Sequence, residues 1–153
     1  DALFVCLDTH MVGSHAGQFC TARQVWLADV LSASYKPTYI FMHHPPLDLH
    51  LPSQDEIKLV ESDALLDLVG ICDQVKHLFI GHVHRPTSGT IRGIPFATLG
   101  ALSFQAPAPQ PVWDWDSFVP PPEAPHYGVL HIDGADVILQ YTQFCAYELG
   151  VEG

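Results

Sequence analysis

The chain has 153 residues, 48% of them hydrophobic, and it carries a formal net charge of −11 with only six lysines and arginines. This length and composition predict a single globular domain with its own core, and they argue against a disordered chain. The acidic balance argues against a nucleic-acid polymer as partner, because binding such a polymer requires a basic surface. The apolar runs fall far short of the roughly 20 residues that span a bilayer, so we expect no membrane partner.

The first half of the chain alternates predicted strands and helices. The predicted strands lie at 2–7, 38–42 and 77–80. A helix is predicted to begin at Thr21, with Gln24 three residues later in a capping-box arrangement and with Val25, Trp26, Ala28 and Leu31 on its apolar face. A second helix covers about 60–72. The order βαβαβ predicts parallel strands joined by crossover connections, so the expected fold class is α/β.

The second half is predicted to consist of hairpins and one long loop. Hairpins are expected at 90–97 and at 127–141, and the proline-rich stretch 104–125 lies between them. This stretch contains Trp113 and Trp115, and it favours a long ordered loop over a regular element. The loop is expected to form a lid or a subunit contact, or to pack onto its own core.

Two histidine clusters follow predicted strands. His43 and His44 precede two prolines at the end of the second strand, and His82 and His84 follow Gly81 at the end of the third. Gly81 is expected to let the chain turn sharply there. The carboxyl ends of parallel strands meet at one edge of a sheet, and imidazole is a ligand of Zn, Fe and Mn. The sequence therefore predicts a metal site at this edge.

These two motifs, His-His-Pro-Pro and Gly-His-Val-His, together with the run from Leu7 to Leu27, resemble the calcineurin-like metallophosphoesterases, and within them the class III cyclic nucleotide phosphodiesterases. The resemblance implies a four-layer α/β/β/α sandwich around two metal ions, with residues 1–153 forming the C-terminal portion of a single domain. It also implies that His43 and His82 bind the second metal and that His84 binds the first.

The resemblance suggests two candidate catalytic residues beside these ligands. His44 is adjacent to a ligand, and we expect it to support the site rather than bind metal. Arg85 follows the second motif and is placed to touch phosphate, although a surface or sheet-edge role is the alternative. Asp8 and His10 spell an Asp-x-His motif, but their flanks match a later segment of the family, so we do not count them as ligands.

The Gly-Asp and Gly-Asn-His motifs that complete the family's site do not occur in these residues. The resemblance implies a phosphodiesterase for 3′,5′-cAMP-type cyclic nucleotides or related phosphodiesters, with two Mn, Fe or Zn ions in the parent protein. One ion or none is expected in this piece alone, which should be inactive. The alternatives are a non-catalytic metal-binding or assembly fragment and a glycerophosphodiesterase of the same superfamily. We expect pairing with another copy or with the missing N-terminal half, because half of a sandwich leaves a sheet face and edge uncovered.

The four cysteines show no C-x-x-C spacing and lie among apolar neighbours. Cys6, Cys20, Cys72 and Cys145 are therefore expected to be small buried thiols in a reducing, cytoplasmic compartment.

Overall fold

A computed structural model describes residues 1–134 and 136–144. In chain order the elements are β1 (Leu3–Leu7), β2 (Gly17–Gln18), α1 (Thr21–Ser32), β3 (Thr38–Met42), α2 (Pro52–Asp55), β4 (Leu59–Val60), α3 (Ser62–Gly70), β5 (Val75–Ile80), β6 (Ser88–Ile91), β7 (Ile94–Thr98), β8 (His126–Asp133) and β9 (Asp136–Gln143).

Five strands form the main sheet in the order β1-β3-β5-β7-β6. The first four run parallel, and β6 pairs antiparallel with β7. A row of apolar residues crosses the parallel strands at Val5, Ile40, Leu78 and Phe96. The predicted α/β class and the βαβαβ order are therefore confirmed, and the carboxyl ends of β1, β3 and β5 lie at one edge of the sheet.

Helices α1 and α3 cover one face of this sheet. Leu27 and Leu31 of α1, and Leu65 and Val69 of α3, are buried against the apolar strand residues of that face. Each helical pair is spaced by four residues, which places both side chains on one side of the helix. Burial of this apolar surface provides the main driving force for docking the helices on the sheet.

The β8–β9 ribbon covers the opposite face of the sheet. Leu130 and Leu139 of the ribbon pack against Tyr39 and Phe79 of the central strands. Both faces of β3 and of the second half of β5 are thus buried, which explains why residues 39–42 and 78–80 are continuously apolar. The layers run α/β/β and match three of the four layers predicted. A helical layer on the outer face of the ribbon is not among the described residues.

Three local predictions differ from the structure. Val25 and Trp26 are exposed rather than buried, because the buried stripe of α1 runs through Leu27. The capping box is not formed, since the Gln24 side chain donates to the Phe19 carbonyl instead. The short pair β2–β4 and the single turn α2 were not predicted, because elements of two to four residues carry no usable periodicity.

The outer edge of β1 has no pairing strand within the described ranges, and apolar groups lie on it. Phe4 is 54% exposed, and Cys6 is also exposed. The prediction that Cys6 is buried is therefore wrong, because β1 is an edge strand with no neighbour on its outer side among the described residues. Cys20 and Cys72 are half-buried, and Cys145 lies outside the described residues.

None of the described helices combines the length and the apolar character needed to cross a membrane.

Candidate metal centre

Two of the predicted ligands meet at the carboxyl edge of the sheet. His43 Nε2, after β3, lies 3.2 Å from His82 Nδ1, after β5. Two imidazole nitrogens bound tetrahedrally to one ion at about 2.0–2.1 Å would lie about 3.3 Å apart. The two rings share a hydrogen bond at this distance, and the separation also matches that of two ligands of a single ion.

The backbone around His82 and His84 has an unusual conformation that aims the two rings. Both residues have positive φ, +68° and +51°, which is uncommon outside glycine. A hydrogen bond of 2.8 Å from the Val83 N–H to the Gly81 carbonyl closes a three-residue turn around His82. Val83 itself is fully buried and anchors the tip of the loop. Strained backbone of this kind is found mainly at functional sites.

Gly81 does not provide the sharp turn that the sequence suggests, because the left-handed conformation falls on the two histidines instead. Its role is to allow close approach. A Cβ added to Gly81 would lie 3.0 Å from His43 Nδ1, whose ring packs against this backbone. The Gly81 N–H also donates to the Met42 carbonyl, which ties the ends of β3 and β5 together.

His44 is buried, and both of its ring nitrogens have hydrogen-bond partners. Its Nε2 lies 3.2 Å from the carbonyl of His15, which can only accept, so Nε2 donates. Its Nδ1 therefore accepts from the Thr9 hydroxyl at 2.8 Å. Gly17 makes room for the ring, because a Cβ there would lie 2.4 Å from His44 Cγ. His44 belongs to the group of histidines whose ligand atoms lie within 4.8 Å of one another, with His43 and His82.

His84 lies beside this group but not within it. Its Nδ1 donates to the Phe104 carbonyl at 2.8 Å, and its ring packs on the Phe104 ring with centroids 4.6 Å apart. A carbonyl that fixes one imidazole N–H leaves the other nitrogen free to bind a metal, and this arrangement is common at metal sites. His84 is therefore oriented by the long loop that follows β7.

Burial, more than the charges of neighbouring histidines, lowers the pKa of each clustered histidine and favours its neutral form. Burial, with smaller contributions from the charges of His44 and His43, lowers the pKa of His82 to about 4. Burial, and then the charge of His84, lowers the pKa of His43. Burial and then His43 lower the pKa of His44. Neutral imidazole is the form that binds metal, so the cluster is prepared for a cation at neutral pH.

The donor set fits one ion between His43 and His82 better than it fits an ion held by all three clustered histidines. Both nitrogens of His44 are already engaged, so this residue supports the site through hydrogen bonds. His82 Nε2 is buried and has no hydrogen-bond partner in the part of the chain that the structure describes. An unpaired buried nitrogen is costly. Binding of an ion at His82 Nδ1 would not give His82 Nε2 a partner.

Arg85, the second candidate catalytic residue, is engaged by the long loop. Its guanidinium donates to the carbonyls of Ala106 and Pro107 and lies 3.3 Å from a carboxylate oxygen of Glu123. In this position it anchors the loop near its start and near its end. The catalytic role of Arg85 stays a prediction, and these contacts assign it a structural one.

The Asp-x-His residues lie apart from the histidine cluster. Asp8 is exposed and forms an ion pair with Arg23 at 2.5 Å, and it accepts from the His10 N–H. Thr9 between them is buried and its hydroxyl reaches the site, as does the carbonyl of His15 later in the same loop. The sequence analysis missed Thr9, although its position directly after a strand end, like those of the histidines, was the available signal.

An α/β sheet with clustered histidines at its carboxyl edge is suited to holding a metal ion, and the chain resembles known phosphodiesterases in sequence. The chain is 38% identical to a probable cyclic nucleotide phosphodiesterase of Rhodopseudomonas palustris over 68% of this chain and 39% of that protein. It is 36% identical to the glycerophosphodiester phosphodiesterase GpdQ of Enterobacter lignolyticus over 66% of this chain and 37% of that protein. It is 30% identical to a cAMP/cGMP dual specificity phosphodiesterase of Mycobacterium tuberculosis over 65% of this chain and 31% of that protein.

No family model matches the chain. Among solved structures, a dimetal phosphatase from Danio rerio aligns with a TM-score of 0.47 and 24% identity over 55% of this chain and 27% of that chain. The chain spans well under half the length of the curated relatives it matches. It is homologous to the cyclic nucleotide and glycerophosphodiester phosphodiesterases, which confirms the resemblance drawn from the histidine motifs.

Proposed function

We propose that the chain is part of a metal-dependent phosphodiesterase that hydrolyses cyclic nucleotides or related phosphodiesters. The observation that carries this proposal is the 3.2 Å approach of His43 Nε2 to His82 Nδ1 at the carboxyl edge of the sheet. Cyclic nucleotide phosphodiesterases among the relatives support the choice of substrate class. The strongly negative chain fits an anionic diester only when bound cations reverse the local field.

His43 and His82 would hold one ion, and His84, oriented by Phe104, would contribute to the second. A pair of Mn, Fe or Zn ions supplies Lewis acidity toward the phosphoryl group and a hydroxide near neutral pH. His44 keeps the cluster in place through Thr9, and its neutral ring adds no positive charge that would repel a cation. The chain's own residues thus bind and orient, and His43 and His82 stay neutral, with one ring nitrogen each free of a proton.

The histidine cluster contains no carboxylate within residues 1–134 and 136–144. We propose that residues N-terminal to this chain in a longer protein supply the missing ligands, in line with the greater length of the relatives. The free thiols of Cys6, Cys20 and Cys72 support a reducing, cytoplasmic setting for that protein.

The test compares the 153-residue chain with the same chain extended upstream in its own reading frame. With Mn²⁺ and bis(p-nitrophenyl) phosphate, the extended protein should turn over and the short chain should not. His43→Ala should lower kcat/KM of the extended protein by more than about 100-fold, since even indirect partners of a metal cost 10- to 100-fold. His131→Ala, on the exposed face of β8, is the matched control and should change little. Inactivity of the extended protein with Mn²⁺, Fe²⁺ and Zn²⁺ would refute the proposal.

A non-catalytic metal-binding fragment is the second candidate, and the all-imidazole cluster favours it. Turnover by the extended protein separates the two, and calorimetric titration of the 153-residue chain with Zn²⁺ counts the ions that the short chain holds. One ion or none per chain agrees with a fragment that lacks ligands, and two ions would show that the short chain already holds the full centre.

A glycerophosphodiesterase is the third candidate, because GpdQ of Enterobacter lignolyticus is among the relatives. The ratio of kcat/KM for cAMP to that for glycerophosphoethanolamine, measured on the extended protein, decides between the two substrate classes.

We propose that the edge of β1 pairs with another strand, contributed by the N-terminal part of the longer protein or, in the isolated chain, by a second copy. Phe4 and Cys6 are exposed on an all-apolar strand that carries no charge or proline to block pairing. Light scattering of the isolated chain should show association that Phe4→Lys reduces. Ile71→Lys, at an exposed position after α3, is the control. A monomer at all concentrations would contradict the proposal.

A further inference from the structure

A cavity of about 360 Å³ adjoins the histidine cluster. His82 lines it on one side and Trp115, from the proline-rich loop, lines it on another, with His15 and Ile57 completing the wall. Its size is within the range of small-molecule sites, and it combines an apolar wall with a candidate metal ligand. A ligand that filled this cavity would therefore touch both His82 of the candidate metal centre and the tryptophan ring.

The Trp115 ring is held in place by contacts with neighbouring rings and by the turn that carries it. Its ring contacts those of Trp113 and Phe118, with centroids 5.5 Å and 6.0 Å away, while 48% of its surface stays exposed. Asp114 accepts from both the N–H and the hydroxyl of Ser117, which closes the turn that carries the ring. The loop is fixed to the rest of the fold where the Ser53 hydroxyl donates to the Trp113 carbonyl.

The aromatic rings are packed against one another and leave no space between them for a ligand. The Trp113 and Phe118 centroids lie 5.4 Å apart, so the three rings do not form an open cage of the kind that surrounds a quaternary ammonium group. What remains is a half-exposed Trp115 ring that lines the cavity, and the matching ligand is a flat ring.

The charges near Trp115 disfavour a second anionic group on this side of the cavity. Asp114 and Asp116 flank the tryptophan in sequence, and no lysine or arginine lines the cavity among the described residues. The phosphate of a ligand would therefore lie at the histidine end, and an uncharged group would lie against Trp115.

We propose that Trp115 stacks on the nucleobase of a cyclic nucleotide whose phosphodiester is bound at the His43–His82 centre. The inference rests on the proposed function, and it names Trp115 as a specificity-determining residue that selects diesters carrying a base. Stacking of a base on an aromatic side chain is sequence-tolerant, so purine and pyrimidine nucleotides are both accepted.

The test uses three probes with the 153-residue chain in the presence of Zn²⁺, and dissociation constants are measured by calorimetry. Adenosine carries a base without phosphate, dimethyl phosphate carries a diester without a base, and cAMP carries both. We expect cAMP to bind at least about tenfold more tightly than dimethyl phosphate, and adenosine to quench tryptophan fluorescence. Trp115→Leu should abolish both the preference and the quenching, and Trp115→Phe, which keeps a flat ring, should retain most of the preference.

The matched control is Trp26→Leu, because Trp26 is exposed to a similar extent, 46%, on the distant helix α1. This variant should keep the cAMP preference. Equal binding of cAMP and dimethyl phosphate, or a preference that survives in Trp115→Leu, would overturn the inference while leaving the proposed function standing. Zn²⁺-dependent binding of neither diester would also overturn the inference, because it would leave no phosphodiester bound beside Trp115, whereas the proposed function is decided by turnover of the extended protein. Tighter binding of glycerophosphocholine than of cAMP would overturn the inference in favour of a cation on the ring.

Discussion

The Thr9 hydroxyl lies 2.8 Å from His44 Nδ1, and this buried hydrogen bond joins the loop after β1 to the loop after β3. The His44 backbone N–H lies 3.4 Å from the same oxygen. One small side chain thus fixes the orientation of a ring on which the histidine cluster packs.

Replacement of this hydroxyl should weaken both the fold and the metal site. Thr9→Val leaves His44 Nδ1 buried without a donor, and we expect the free energy of unfolding to fall by about 1–3 kcal/mol. Zn²⁺ affinity should fall about tenfold, because His44 no longer holds its neighbours in place. Urea denaturation and calorimetry measure the two effects. Thr90→Val, at an exposed position of β6, is the control, and equal losses in both variants would contradict the role of Thr9.

Replacement of Gly17 and of Gly70 by alanine should have different effects on the stability of the protein. A Cβ on Gly17 would overlap the His44 ring at 2.4 Å, so Gly17→Ala should destabilise the protein by about 1–3 kcal/mol and weaken Zn²⁺ binding. A Cβ on Gly70, at the end of α3, meets nothing within 4 Å. Gly70→Ala should therefore be neutral or stabilise by up to about 1 kcal/mol. Thermal unfolding of the pair measures the contrast, and a neutral Gly17→Ala would show that His44 moves freely.

Acid should destabilise the metal-free chain. The pKa of His82 is about 4 in the folded protein and about 6.5 when the chain unfolds, so between these values the unfolded chain binds a proton that the folded chain does not. The contribution is favourable to folding above pH 6.5 and is lost as the pH falls towards 4. The lowered pKa values of His43 and His44 act in the same direction.

Urea denaturation with a chelator at several pH values from 7.5 to 4.5 measures this dependence. His82→Asn, which tolerates the left-handed backbone, should flatten it. The control variant His131→Asn, at an exposed ribbon position, should keep the slope of the parent chain. Identical slopes in all three proteins would contradict the burial of His82.

Removal of the Arg85 guanidinium should loosen the long loop. Arg85→Ala deletes the donors to Ala106 and Pro107, and limited proteolysis within 107–123 should accelerate. Arg92→Ala, which removes surface ion pairs with Asp63 and Asp67, should not have this effect. Unchanged proteolysis together with weaker binding of inorganic phosphate to the Zn²⁺-loaded chain would instead support the catalytic role predicted from the motif.

The sequence was sufficient to predict the parallel strands and the edge at which the histidines meet. Buried strands appear as apolar runs, and two of these runs end just before His43 and His82. The sequence did not reveal which imidazole supports the site through hydrogen bonds and which one faces an ion, because these roles depend on tertiary contacts. His44 is turned away from ligation by Thr9 and His15, residues far from it in sequence. Exposure of Val25 and Trp26 was missed for a related reason: an apolar helix position is buried only where the sheet lies beneath it.

The left-handed backbone of His82 and His84 limits what can replace either residue. Asparagine and aspartate adopt this conformation readily and also carry oxygen donors, whereas β-branched residues incur a steric penalty. Only a few residue types can therefore replace His82 or His84 and still bind a cation, because the backbone conformation already excludes most of the others.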